Sequence, residues 1–474
     1  MATPPRLNLI SRPVRNLRTS RSTKRSGLSA VDLFAAIGCA AGLTASTLFQ
    51  MQVRSSTFAA SDFKTLYASA WCFARGLDAY SIPNLQQVFN NNSVVQPAMW
   101  YGHAPVYPWP TLALIAPLTA LPMVPAAYIA IILSGLLVTG AVAGLMYYAA
   151  RHFALEAGWR VLIAVLCLSG PLLSFGMNMG NVSVAASALC ILAFVLRERA
   201  EGPPERAVDW LPSVALATAV LLKPHLALWC GVGMMLLPER AARSVVVRAI
   251  AITATFTVLI GVVLAASGTL ELQTLSYLKM LSAESSAGAS MSAASHEALP
   301  ITAQITSLQS ILGFSISNSI VRNSLTGLLL VAAGALLVRR TRSVEDQRAA
   351  LLAVGAWCAF GMLATYHRAH DAVVLILLVP WIIARVRNAP LTWQAWASFG
   401  LYCAMCLSVD FPILLRWLGT LPANSPIAFM FLRQAALADL LLVFVLLFSL
   451  GRQRSERQTT AMEMDAAEEV RTAA

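Results

Sequence analysis

Long apolar segments, separated by short gaps that carry arginine, run through most of the chain. Their apolar residues do not alternate with polar ones, which excludes the two-residue period of a membrane β-barrel. Apolar runs of this kind predict membrane-spanning helices, so the expected fold class is an all-α polytopic membrane protein. The pattern predicts about twelve spans, at residues 30–50, 126–149, 161–177, 182–196, 211–222, 225–237, 245–266, 319–338, 349–365, 372–384, 393–410 and 429–449.

One apolar segment, residues 105–123, does not fit this pattern because it contains five prolines. If it crossed the membrane, every later loop would change sides and the arginine-bearing gaps would face outward. Proline-broken backbone at membrane depth lines a cavity or is buried in protein. We therefore expect a re-entrant or interfacial segment in addition to the spans.

Composition and charge narrow the class further. The chain has 474 residues, of which 58% are hydrophobic and 12% are charged, whereas soluble proteins are about 25% charged. These values exclude an ordinary soluble enzyme and a disordered chain. The formal net charge of +12 is concentrated in the N-terminal tail and in the gaps between apolar runs. This distribution follows the positive-inside rule and predicts that both termini are cytoplasmic.

The same pattern gives the expected domain organisation. A basic cytoplasmic tail at 1–27 precedes one transmembrane domain at 28–450, and a second cytoplasmic tail follows at 451–474. Two long segments of the domain, 51–104 and 267–318, are expected to lie outside the cytoplasm.

Three polar corners of the domain are expected to lie below the outer membrane surface. The spans at 211–222 and 225–237 are about 18–20 Å long, against a hydrocarbon core of about 30 Å. The tip between them carries Lys223, and similar corners are expected at Asn181 and before residue 372. Ionisable residues at that depth are costly, so each corner is a candidate functional site.

Several of these residues also have a structural interpretation. Asp62 begins a predicted helix, residues 62–75, that is expected to lie on the membrane plane. At this position Asp62 either caps the helix or takes part in a reaction. Lys223 either extends its ammonium toward the membrane surface or binds an anion such as a lipid phosphate. Asn181 is placed to cap a helix, and the alternative for His103 is an ordinary structural role.

Two histidines, an arginine and an aspartate lie between two apolar spans, at residues 365–371. His367 and His370 with Asp371 form a weak metal-ligand pattern, so a divalent metal stays open as a cofactor. Arg368 offers the planar donors that suit a phosphate. The alternative is an ordinary outside loop in which Asp371 caps the next helix.

Nucleotide-binding and hydrolase motifs are missing from the sequence. It contains no P-loop, no glycine-rich dinucleotide motif after a strand and no nucleophile elbow. No predicted cytosolic domain is large enough to bind a nucleotide sugar. A sugar donor would therefore have to reach the site from the membrane or from outside.

A set of motifs follows in a fixed order along the chain: Asp62 with Phe63 and Tyr67, Gly76-x-x-x-Tyr80, the Tyr/Pro-rich stretch 101–110, Gly180-Asn181, Leu222-Lys223-Pro224 and Tyr366-His367-Arg368-x-x-Asp371. In order and placement these motifs resemble those of glycosyltransferase family 87, over about residues 60–390. The resemblance implies the GT-C fold and a membrane transferase that uses a polyprenyl-phosphate sugar, with mannose as the expected hexose. It also implies a bacterial-type plasma membrane, an active site that faces outward, and a glycolipid or glycan acceptor.

The resemblance further implies roles for individual residues. Asp62 is the expected catalytic base, which takes the proton of the attacking hydroxyl. The leaving phosphate is expected to bind Lys223, Arg368 and His367. The expected contacts to the acceptor or the sugar come from His370, Asp371, Asn181, Tyr101 and His103. One base and a phosphate leaving group predict a single displacement with inversion at C1 of the sugar.

Two other functions stay open at this point. One is a transporter of lipid-linked saccharide or of another small substrate, although the sequence shows no pair of matching broken helices. The other is a structural subunit of an envelope complex, which would leave Lys223 and the polar group at 365–371 unexplained.

Overall fold

The computed structural model describes residues 30–53, 60–93, 105–200, 207–285, 306–365, 367–388, 392–407 and 433–452. Within these ranges the regular elements are helices, which confirms the all-α prediction. The predicted N-terminal tail at 1–27, the positions of Tyr101 and His103, and nearly all of the C-terminal tail lie outside the described residues.

The α-helices are named in chain order. Their bounds are α1 Ala30–Val53, α2 Ser61–Ala74, α3 Ile82–Asn91, α4 Trp109–Ile115, α5 Met123–Phe153, α6 Ala157–Leu168, α7 Pro171–Met179, α8 Val182–Leu196, α9 Leu211–Leu222, α10 Pro224–Leu236, α11 Arg240–Ala266, α12 Leu270–Ser285, α13 Leu308–Ser315, α14 Ser319–Arg342, α15 Gln347–Ala364, α16 Val379–Asn388, α17 Trp393–Leu407 and α18 Gln434–Arg452. Short 3-10 helices lie at Ala116–Ala120, Arg197–Ala200, Ala207–Trp210 and Ala369–Leu378.

Five helices of the described chain are long and apolar enough to cross a membrane, namely α5, α11, α14, α15 and α18. Helices α6 and α7 form one more candidate span, which is bent by 45° at a short break just before Pro171, the first residue of α7. Helices α8, α9 and α10 contain 15, 12 and 13 residues, so each is about 18–23 Å long. These helices support a membrane protein, whereas the total of twelve spans and the GT-C fold stay predictions.

The proline-broken segment forms the short helix α4 and then a 3-10 helix. Together Trp109–Ala120 is too short, at about 18 Å, to cross a core of about 30 Å. The segment is held by neighbouring helices. Tyr67 donates its hydroxyl hydrogen to the carbonyl of Leu121 at 2.6 Å, and Thr111 donates to the carbonyl of Leu221 at 2.5 Å. The segment is thus packed against neighbouring helices, and its re-entrant or interfacial placement stays a prediction.

Helix α2 is buried along most of its length. The apolar spacing indicated a helix here, and one is present at Ser61–Ala74, but eleven of its residues are buried. The hydroxyls of Thr65 and Ser69 donate to the carbonyls of Ser61 and Ala79, so the polar face of the helix is buried as well. The helix is therefore an internal element that is packed on both faces, and its placement on the membrane plane stays a prediction.

The span predicted at 372–384 also has a different form. It begins as a 3-10 helix, Ala369–Leu378, and continues as α16. Pro380 lacks the backbone N–H that an α-helix would bond to the carbonyl of Ile376. The N–H of Val379 bonds to that carbonyl instead, in the three-residue pattern of a 3-10 helix.

Helices α10 and α15 pack through Gly361, and this contact aligns the helix ends that carry Lys223 and His367. A Cβ atom at Gly361 would lie 2.2 Å from Cδ1 of Trp229, whose ring stacks on Trp357. It would also lie 2.6 Å from Cβ of Trp229, so a rotation of the ring does not remove the clash. We expect Gly361→Ala to lower the free energy of unfolding by about 1–3 kcal/mol, because overpacking displaces neighbouring groups.

Thermal unfolding of the purified protein in detergent measures this effect. Gly231→Ala, on α10, is the matched control because no atom lies within 4 Å of the added Cβ. Equal unfolding temperatures for the two variants would contradict the packing argument.

Candidate active site

Several helix ends meet at one place in the fold. The N-termini of α2 and α8 lie there, together with the break between α9 and α10 and the start of the 3-10 helix after α15. These ends bring Asp62, Asn181, Ser183, Lys223 and Asp371 into one hydrogen-bonded group, which we call the polar cluster. All five side chains are buried. The three polar corners that the sequence predicted, at Asn181, at Lys223 and before residue 372, therefore lie together in the structure.

The turn between α7 and α8 brings Asn181 against the start of α2. Gly180 in this turn has a φ of +63°, in the left-handed region that favours glycine. An added Cβ at Gly180 would lie 2.9 Å from Cβ of Phe63. The backbone N–H of Ala60 donates to the carbonyl of Asn178 at 2.8 Å. The close backbone approach fixes the position of this turn relative to α2.

Asn181 uses both ends of its amide. Its Oδ1 accepts a hydrogen bond from the backbone N–H of Ser183 at 2.8 Å, so it caps α8 as the sequence indicated. Its Nδ2 donates to Oδ2 of Asp62 at 2.6 Å. The amide therefore orients the Asp62 carboxylate, while the predicted contact of Asn181 to a sugar stays a prediction.

Asp62 keeps one carboxylate oxygen, Oδ1, buried and without a hydrogen-bond partner among the described residues. Burial raises the pKa of this carboxyl, while Arg368, the hydrogen bond from Asn181 and the charge of Lys223 act in the opposite direction. A carboxylate with a raised pKa is a stronger base. The geometry and the pKa therefore both suit the acceptance of a proton at Oδ1.

Asp371 lies at the centre of the polar cluster. Its Oδ1 accepts hydrogen bonds from Nζ of Lys223 at 2.6 Å and from Oγ of Ser183. Its Oδ2 lies 3.0 Å from Nδ1 of His367 and accepts from the backbone N–H of Arg368 at 3.2 Å. The last contact caps the 3-10 helix, as one reading of the sequence predicted. Asp371 thus joins α8, the break after α9 and the segment after α15.

Lys223 is buried, with 8% of its side chain exposed. Its Nζ donates to both Ser183 and Asp371, so the alternative in which the ammonium extends to the membrane surface is wrong. Pro224 follows directly and ends α9 at this point, since a residue before proline avoids the helical conformation. An ammonium has three N–H donors, and these two contacts leave one of them for a further acceptor.

Three histidines lie beside the polar cluster. His367 is 1% exposed, and its ring centroid is 4.8 Å from that of His225. His370 has Nε2 at 3.5 Å from Oδ1 of Asp371, and its ring packs 5.9 Å from that of Phe175. The structure therefore brings both predicted histidines to Asp371, and it adds His225, which was not among the predicted site residues.

A metal ion is the remaining question raised by these histidines. One ligand atom each from His225, His367 and Asp371 lie within 4.8 Å of one another. However, both oxygens of Asp371 already accept hydrogen bonds, and Lys223 already balances its charge. A divalent cation would lie beside that ammonium and repel it. The residues present therefore fit a divalent metal poorly.

Two further residues of the site were not among the predicted site residues. Ser183 links Asn181 to Asp371, because its backbone N–H donates to Oδ1 of Asn181 and its hydroxyl donates to Oδ1 of Asp371. A serine at the start of a buried apolar helix was the available signal. Burial, and then the charges of Asp62 and Asp371, raise the pKa of the Tyr107 hydroxyl. The charges of both carboxylates therefore act on this hydroxyl, which lies at the entry to the proline-broken segment.

The family model of glycosyltransferase family 87 matches residues 106–366, which is more than half of the 474 residues. The chain belongs to glycosyltransferase family 87. A member of this family is a membrane glycosyltransferase, which agrees with the apolar helices. No curated protein and no solved structure matches the chain. The match covers Asn181 and Lys223, whereas Asp62 and Asp371 lie on either side of it and join the same site through hydrogen bonds.

The contact between Asp371 and Lys223 makes a prediction about the stability of this family 87 protein. We expect Asp371→Asn to lower the free energy of unfolding by about 3–5 kcal/mol, because Lys223 would stay buried without its charge partner. Thermal unfolding in detergent measures the loss. The double variant Lys223→Met, Asp371→Leu is expected to regain stability, because it removes both buried charges.

The control for this experiment is an exposed ion pair. Glu156 contacts Arg387 at 2.8 Å with 74% of the Glu156 side chain exposed. Glu156→Gln should cost about 0–1 kcal/mol. A loss for Asp371→Asn no greater than that of Glu156→Gln would show that Asp371 is not needed to stabilise the buried ammonium.

Proposed function

We propose that this protein transfers a hexose, with mannose as the first candidate, from a polyprenyl-phosphate sugar to a glycolipid or glycan acceptor outside the cytoplasm. The observation that carries the proposal is the arrangement of Asp62, whose buried Oδ1 has no partner among the described residues, next to the charges of Lys223 and Arg368. A base beside fixed cations is what a transfer from a phosphate leaving group requires.

The proposed reaction is a single displacement. The acceptor hydroxyl attacks C1 of the sugar and gives its proton to Oδ1 of Asp62, which the bond from Asn181 holds in place. The bond between C1 and the phosphate oxygen breaks, and its electron pair leaves with the polyprenyl phosphate. Attack from the face opposite to the leaving group inverts the configuration at C1.

The leaving phosphate gains negative charge as the bond breaks. In the proposal, Lys223 binds it through its remaining N–H donor and Arg368 binds it through its planar guanidinium. The charge of Arg368 acts to lower the pKa of Asp62, although burial has the larger effect and raises it. The same cation therefore lies close to the base and to the proposed phosphate position.

The distribution of arginines supports the proposed orientation in the membrane. Arg339, Arg340 and Arg342 lie in the last turn of α14, Arg240 begins α11, and Arg385 lies near the end of α16. Each group of arginines is separated from the polar cluster by one helical segment, which is α10, α15 or the 3-10 helix with α16. These arginines form the excess of positive charge that marks a cytoplasmic side. The proposal therefore has both termini in the cytoplasm and the site facing outward, in a bacterial-type plasma membrane.

Asp62→Asn tests the role of the base. We expect transfer to fall by about 10²–10⁴-fold, because the amide cannot accept the proton of the acceptor hydroxyl. The assay measures transfer of radiolabelled mannose from polyprenyl-phosphate-mannose to a cell-envelope lipid extract, with purified protein in lipid. The unfolding temperature of the variant should not fall, since the substitution removes a buried charge.

Asp78→Asn is the control for loss of a carboxylate. Asp78 accepts hydrogen bonds from the N–H of Tyr80 and the hydroxyl of Ser276, away from the polar cluster, and this variant should keep most of the activity. A fully active Asp62→Asn would overturn the assignment of the base. If no polyprenyl-linked hexose gives a glycosidic product but saccharide crosses the vesicle membrane, the transporter alternative replaces this proposal.

Arg368→Gln tests the binding of the phosphate. We expect KM for the polyprenyl-phosphate sugar to rise by about tenfold or more, because a charge-assisted hydrogen bond to an anion is lost. KM for the acceptor should change less. Arg385→Gln, on α16, is the control for loss of an arginine. An unchanged KM for the donor in Arg368→Gln would show that this guanidinium does not bind the phosphate.

A further inference from the structure

Buried polar atoms in the polar cluster and directly beside it have no hydrogen-bond partner among the described residues. They include Oδ1 of Asp62 and Nε2 of His367. Buried polar groups without a partner are rare, and each calls for an explanation. The proposed reaction uses Oδ1 of Asp62 but does not use Nε2 of His367.

The contact with Asp371 decides which hydrogen-bonding role this nitrogen has. Nδ1 of His367 lies 3.0 Å from Oδ2 of Asp371. An ionised carboxylate can only accept hydrogen bonds, so the proton of the ring is on Nδ1. In a neutral imidazole the other nitrogen then carries a lone pair. Nε2 of His367 is therefore an acceptor.

The position of the ring relates this nitrogen to the proposed donor. Asp371, which His367 contacts, also contacts the Lys223 ammonium at 2.6 Å. Arg368 follows His367 directly in the chain. His367 therefore lies beside the two cations that the proposed function assigns to the phosphate.

We propose that Nε2 of His367 accepts a hydrogen bond from a hydroxyl of the transferred sugar and does not bind the phosphate of the donor. A phosphate oxygen is itself an acceptor and offers no hydrogen to this nitrogen, whereas every sugar hydroxyl does. Because His367 lies beside Lys223 and Arg368, the nearest hydroxyls belong to the sugar that the phosphate carries. The inference rests on the proposed donor class and revises the expected contact of His367 to phosphate.

The test separates sugar from phosphate by measuring binding without turnover. The full-length protein in lipid receives polyprenyl phosphate or polyprenyl-phosphate-mannose, with no acceptor present. In His367→Asn the amide nitrogen takes the place of Nδ1 and keeps the contact to Asp371, but the acceptor at Nε2 is lost. We expect the affinity for the sugar-bearing lipid to fall by about tenfold or more, and the affinity for polyprenyl phosphate to stay within about twofold.

Two further measurements keep the result independent of folding. His367→Gln carries an amide oxygen near the position of Nε2 and should regain part of the lost affinity. The wild-type protein, tested with monodeoxy-mannose donors, should lose a similar factor for one of them. His152→Asn is the control, because His152 contacts Glu198 at the end of α5, away from the site.

The outcomes distinguish this inference from the proposed function. An equal loss of affinity for both lipids in His367→Asn would assign the histidine to the phosphate and overturn the inference. No loss for either lipid, together with no sensitive hydroxyl among the deoxy donors, would also overturn it. If the wild-type protein binds neither lipid, the proposed donor class is wrong and the inference falls with it.

Discussion

The buried contact between Asp371 and Lys223 is the interaction on which the rest of the site depends. The ammonium of Lys223, whose side chain is 8% exposed, needs a counter-charge. Asp371 supplies it and also accepts hydrogen bonds from Ser183 and from the backbone of Arg368. Three segments that are distant in sequence therefore meet at one carboxylate. The helix ends that converge here are held by charge as well as by apolar packing.

This contact also separates the roles of the two carboxylates. Asp371 has both oxygens in hydrogen bonds and a cation at 2.6 Å, whereas Asp62 has one oxygen bound by Asn181 and the other without a partner among the described residues. Two acids in unlike environments take unlike chemical roles. Asp371 is therefore suited to position Lys223 and His367, and Asp62 is suited to accept a proton.

The sequence predicted the class of the protein better than its geometry. Apolar runs and arginine gaps indicated helices close to those observed, because hydrophobicity and charge are local properties of the chain. Short spans also predicted that Lys223 and Asp371 would lie together in a buried place. The pattern could not show that the polar face of α2 is buried. Burial is possible there because the hydroxyls of Thr65 and Ser69 donate to backbone carbonyls, and those contacts are not visible in the sequence. Nor could it show the link through Ser183, which depends on tertiary packing.

In the sequence, capping and chemistry are competing interpretations of Asn181 and Asp371, and the structure shows why they are compatible. Helix ends present unpaired backbone groups that need polar partners. Where several helices end together in an apolar interior, the fold therefore already needs polar side chains at that place. The same side chains are then available to form a site. Asn181 caps α8 with its oxygen and orients Asp62 with its nitrogen, so one side chain satisfies the helix and positions the base. Substitution of such a residue changes stability and activity together, and the two effects separate when one polar atom is removed at a time.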